Sequence, residues 1–168
     1  MNIKTALLTT ALATLSLASA ASSDFLLTVT PGLTAQAYAR QSANDLARAK
    51  LQYRVAYADL PLYNRAIANA EAAVRLEPRN PSFVQSAAML YAQTQWWLPA
   101  YQHFASLSAL VTLDDASLDT AALTARKLGY MAMQRGDRNE ARSYYVQSLE
   151  YRDNPSARQM LAKLENTL

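Results

Sequence analysis

A chain of 168 residues, 51% hydrophobic with only three glycines, has room for one domain with a true core, and its abundant alanine favours closely packed helices over a sheet. The net charge of +3 comes from Arg and Lys interleaved with Asp and Glu, which lacks the basic stripe of a nucleic-acid binder and argues against that partner. Cysteine is absent, which excludes disulfides, thiolate metal sites and a cysteine nucleophile.

Residues 1–20, MNIKTALLTTALATLSLASA, carry one positive charge at Lys4, an apolar run from Ala6 to Leu17, and small residues at Ala18-Ser19-Ala20. That order reads as a secretory signal cut after Ala20. The run is short and rich in Thr and Ser for a membrane span. Export follows as an expectation, in a bacterium to the periplasm or cell envelope. Residues 21–29, ASSDFLLTV, have no helical period, so 21–32 reads as a flexible lead and 33–168 as the folded domain.

Thr30-Pro31 offers an N-cap with proline at the first helical position. Helical character then runs from Leu33 to Asp59. Ser42-Ala43-Asn44-Asp45 resembles a capping box, so this stretch is either one long helix or two meeting near Ser42. Asp59-Leu60-Pro61 ends it, because proline disfavours helix in the residue before it. A helix over 62–76 follows and closes at Glu77-Pro78-Arg79-Asn80-Pro81. The next pair spans 81–94 and 98–110, broken near Trp96-Trp97. The stretch 111–120, VTLDDASLDT, is a loop and helix start. A helix then runs to Arg135, Gly136-Asp137 makes a turn, and another helix covers 139–151. Asn154-Pro155 opens a last helix through Leu164.

The pattern is helix, turn, helix, seam, repeated. Ala66 lies 34 residues before Ala100, and Tyr57 lies 34 before Tyr91. Ala100 to Ala141 is forty-one, so the region around 108–120 absorbs an insertion. Each helical pair has an apolar face that it cannot cover alone, and about three stacked pairs with a cap cover them. Ala66, Ala100 and Ala141 fall where two helices of a pair approach closely. Phe104 and Tyr145, four residues on from the latter two, fill the gap to the next pair.

These residues resemble the tetratricopeptide repeat. The first unit shows Tyr57, Tyr63, Ala66, Ala70, Ala73 and Pro78; the second shows Ala88, Tyr91, Trp97, Ala100 and Phe104. The third shows Leu128-Gly129, Gly136-Asp137, Ala141, Tyr145, Leu149 and Asn154-Pro155. Departures from the pattern are Lys50 and Arg54 in the first unit, Leu107 and Ser148 late in the second helices, and Thr112 at the second seam. The resemblance implies an all-α fold, an α-solenoid of antiparallel helix hairpins with units at about 47–80, 81–114 and 122–155 and a cap at 156–168. It also implies a concave groove, lined by the first helix of each unit, that binds a protein or peptide. The residues expected to face it are Arg48, Leu51, Val55 and Asp59; Ser82, Gln85, Met89 and Gln93; and Arg126, Tyr130, Met133 and Gln134. That lining suits a partly apolar, weakly acidic segment, with two arginines pairing its carboxylates.

The remaining candidates read as structural. Trp97 is expected in the core; Trp96 then points elsewhere, as an anchor for a partner or a membrane interface, or packed on Leu60 or Pro61. His103, the single histidine, has no acidic residue three or four positions away to share a metal. Asp114-Asp115 and Asp137 with Glu140 stand at helix starts, where negative charge favours the helix dipole. No phosphate loop or nucleophile elbow is present. The reading is a non-enzymatic exported scaffold with no cofactor and no metal. The alternatives are an envelope protein that associates with itself or with membrane, and an enzyme accessory subunit.

Overall fold

A computed structural model describes residues 30–165. The signal segment 1–20, the lead as far as Val29 and the last residues of the cap lie outside them. Seven helices and no strand occur among the described residues: α1 (Ala35–Gln52), α2 (Pro61–Leu76), α3 (Pro81–Gln93), α4 (Trp97–Ser108), α5 (Asp115–Gln134), α6 (Arg138–Tyr151) and α7 (Pro155–Glu165). The closest pairings are α1 with α2, α3 with α4, and α5 with α6. Successive pairs meet through α2 on α3, α4 on α5 and α3 on α5, and α7 covers α6. The fold is an all-α solenoid of antiparallel hairpins.

The second and third hairpins repeat at the level of single hydrogen bonds. The Trp96 amide donates to the Tyr91 carbonyl at 2.9 Å, and forty-one residues on the Asp137 amide donates to that of Ala132 at 3.0 Å. Gln95 and Gly136 both donate to the carbonyl three residues back, and both have left-handed backbones, with φ of 61° and 81°. This bond pattern satisfies the last carbonyls of a helix while the chain reverses. Glycine accepts that conformation freely; Gln95 is strained there.

Side-chain caps start the helices where expected. Asn80, Asp114, Asp137 and Asn154 accept from the amides of Ser82, Ser117, Glu140 and Ala157 at 3.2, 2.7, 2.9 and 2.8 Å. Pro81 takes the first turn of α3, where its missing N–H costs nothing.

The first hairpin departs from the expected frame. α1 is one helix, and it stops at Gln52 instead of reaching Asp59. Its N-cap is Thr34, which accepts from the Ala37 amide at 3.2 Å; Pro31 and Gly32 form a turn ahead of it. Ser42 and Asp45 sit buried mid-helix and tie it to α2. The Ser42 hydroxyl donates to the Ala66 carbonyl at 2.8 Å, and Asp45 accepts from Arg65 Nε at 2.7 Å. Residues 53–60 then cross to α2 without helix. The Tyr53 ring lies 6.0 Å from that of Tyr63, and Ala56, Ala58 and Leu60 pack on the same core as Tyr91 and Ala100. Burial of these side chains bends the chain where no proline or glycine does. Tyr57 is left half exposed in this loop, while Tyr91 is buried on α3, so the 34-residue spacing between them is not a structural equivalence.

Ala66, Ala100 and Ala141 have no exposed surface, which is what close helix approach requires. Four residues beyond them stand Ala70, Phe104 and Tyr145, all buried. Tyr145 presses on Gly129 of α5, where an added Cβ would meet the ring at 2.9 Å. Ser148, also fully buried, donates to the Ala122 carbonyl at 2.8 Å.

Candidate functional site

The first helices of the first two hairpins frame a groove of about 360 Å³ floored by α2. Ala39, Ser42, Ala43 and Leu46 form one wall on α1. Phe83, Gln85, Ser86, Met89, Leu90 and Gln93 form the other on α3, and Ala70 and Ala73 make the floor. None of these side chains is charged. The α1 wall follows from helical period: 39, 42, 43 and 46 share a stripe, and three of the four are apolar. A shallower recess continues past Phe83 to Gln36, Arg40, Asn80 and Ser82, and Arg40 is its only charge.

The groove gathers Gln85, Met89 and Gln93, with Ser82 in the adjoining recess. Arg48 lies on the opposite side of α1, in a polar cleft with Gln41, Asn44, Asp45, Arg65 and Asn69. Leu51 projects from the end of α1, 91% exposed, and Val55 and Asp59 belong to the loop. The expectation for these four rests on a first helix that extends to Asp59. Because the helix stops at Gln52, the face of α1 that looks at α3 is Ala39, Ala43 and Leu46 instead. On α5, Arg126, Tyr130 and Gln134 stand forty-one residues beyond Gln85, Met89 and Gln93 but do not line the groove. The Arg126 guanidinium reaches Asn154 Oδ1 at 3.4 Å, Tyr130 is exposed, and Met133 packs beside the buried Ala132 and Tyr145 cluster.

Gln85 has a structural duty as well. Its amide donates to Asp114 Oδ2 at 3.0 Å and to the buried Ser117 hydroxyl at 2.9 Å, joining α3 to the start of α5. Those bonds, with that from the Ser117 amide foremost, hold the Asp114 carboxyl below its ordinary value. The side chains free to contact a ligand are therefore those of Met89, Gln93, Leu46 and the alanines.

On the far side of α2, His103 Nε2 meets Glu71 Oε1 at 2.6 Å and the His103 ring stacks on Tyr91, with centroids 5.5 Å apart. Burial pushes the Glu71 carboxyl up, but the His103 contact, the Tyr91 hydroxyl and the Arg75 charge together hold it below its ordinary value. Burial, with the facing Glu71 carboxylate, pushes the Tyr91 hydroxyl well above its own. These three side chains join α2, α3 and α4 as a seam between hairpins. Sequence reading missed the pair because Glu71 is 32 positions from His103. Trp97 is half-buried, with Lys127 Nζ 5.8 Å from the centre of its ring, and Trp96 is 43% exposed and tilted against Tyr91. Trp97 therefore lies at the margin of the core, not within it.

No family model matches the chain, and no curated protein matches it. Among solved structures it is similar to the first TPR of Spaghetti (RPAP3) bound to the HSP90 peptide SRMEEVD. The two are 18% identical with a TM-score of 0.44, over 80% of this chain and 92% of that one.

Proposed function

We propose that this chain is an exported helical-repeat scaffold that holds a partner protein by an uncharged, apolar segment seated between α1 and α3. The observation that carries this reading is the groove itself, walled by the first helices of two successive hairpins with no ionisable side chain among its lining residues. Its 360 Å³ falls in the range of roughly 300–1,000 Å³ usual for ligand sites. Alanines on α1 and α2 leave the room, Met89 and Leu46 supply adaptable apolar contact, and Gln93 offers an amide to a peptide backbone.

The chemistry of the partner differs from that expected on the sequence. The two arginines meant to pair its carboxylates are elsewhere, Arg48 in the opposite cleft and Arg126 against Asn154. A carboxylate entering this groove would lose water and find no cation, so an apolar segment fits better than an acidic one. The leader-like residues 1–20 support placing this scaffold in the periplasm or cell envelope.

The test is capture of partners from envelope extract by wild type, Met89→Glu and Tyr130→Ala. A charge at Met89 should cut capture roughly tenfold or more, since nothing in the groove compensates it. Tyr130→Ala, outside the groove, should leave capture unchanged. If Met89→Glu keeps its helical circular dichroism and captures the same proteins, the groove is not the binding site.

A further inference from the structure

A group of exposed apolar side chains of the first hairpin lies away from the groove, at the end of the molecule where the helices of each hairpin turn back. Leu51 ends α1 almost wholly in solvent, and the loop that follows leaves Val55 51% and Tyr57 46% exposed. Trp96, in the corresponding turn of the second hairpin, is also exposed, and because α2 packs antiparallel on α3 that turn lies at the same end of the molecule. Basic residues alternate with this apolar set: Lys50 and Arg54 are exposed beside Leu51 and Val55. From Leu46 to Ala58 the chain has no acidic residue, and Asp59 is the first to follow.

We propose that this end of the molecule is a peripheral docking surface for an anionic lipid bilayer, with Lys50 and Arg54 over the headgroups and Leu51, Val55, Tyr57 and Trp96 entering the interface. Charge complementarity selects the occupant. Lys50 and Arg54 outnumber the one carboxylate of the adjoining loop, Asp59, and attract an anionic surface, and tryptophan and tyrosine settle at the headgroup level. Aliphatic tips such as Leu51 and Val55 gain by entering an acyl boundary. A single-stranded nucleic acid would use the cations and rings but offers nothing to those two. No helix among the described residues is long and apolar enough to cross a membrane, so the contact is one of surface. This surface is separate from the groove and stands whether or not a peptide binds there.

The absence of cysteine gives a local reporter. The full chain carrying Leu51→Cys, labelled with an environment-sensitive fluorophore, is titrated with phosphatidylcholine vesicles with and without phosphatidylglycerol. The label should brighten and shift to the blue only on the anionic vesicles, whatever the rest of the chain does. Adding Lys50→Gln and Arg54→Gln should weaken that response roughly thirtyfold, about fivefold for each cation. The proposal fails if the label stays aqueous on anionic vesicles, if it responds equally to neutral ones, or if the two substitutions change nothing. It fails equally if the label responds to protein concentration alone, which marks a second copy as the occupant, or to a single-stranded oligonucleotide and not to vesicles.

Discussion

The first and third hairpins reach the same close helix approach by opposite means. In the third, a large ring is set against a residue with no side chain: Tyr145 fills the space that Gly129 leaves, and Gly136 closes a tight turn. In the first, Ala49, Ala66 and Ala70 meet without bulk, and polar bonds from Ser42 and Asp45 do the joining. A loop over 53–60 replaces the tight turn. Hairpin geometry is therefore compatible with two chemistries. Only the turn whose bonds recur, in the second and third hairpins, keeps the repeat in frame.

Three substitutions would break or sharpen this contrast. The largest effect is expected at Phe104, which is fully buried at the position held by Tyr145 in the third hairpin and by Ala70 in the first. Phe104→Ala should cost about 3–5 kcal/mol in urea denaturation. A cost below about 1 kcal/mol would mean that the second hairpin tolerates the alanine chemistry of the first. Next comes Gly129→Ala. In an unobstructed helix this exchange gains about 1 kcal/mol, but here the Cβ meets a buried ring, and a net loss of about 1–3 kcal/mol is expected. A gain at Gly129 would show that Tyr145 moves aside and that the pairing of ring and glycine is not specific. The smallest effect is at the turn. Gln95→Gly should stabilise by about 1 kcal/mol, a few degrees in thermal melting, because it relieves the left-handed strain that Gly136 avoids in the third hairpin. No change at Gln95 would make the two turns alike in bonding only.

Much of the fold was legible. Proline and asparagine at the seam, aspartate before α5 and α6, and glycine in the last turn act through their own backbone geometry, so their positions mark helix ends directly. The buried alanines were legible by spacing. The groove was partly legible: the α3 residues Gln85, Met89 and Gln93 came from a helix whose frame was right. The α1 residues were misplaced because the aromatic spacing of Tyr57 and Tyr91 was read as a repeat, and because Ser42 and Asp45 look like a cap. Both are short polar side chains able to bond the backbone beside them, and nothing local says that a second helix will offer the partner instead.

The amino-acid sequence by itself determined that the chain is helical, where most helices begin and end, and that small residues recur where helices touch. Those properties rest on interactions within a few residues. Only the tertiary structure decided that α1 ends at Gln52, which side of it faces α3, and that the arginines stand away from the groove. Each of those depends on contacts between residues far apart in the chain, such as Ser42 with Ala66 and Glu71 with His103. Burial, and not local preference, chooses among the conformations that the segment 53–60 is free to adopt.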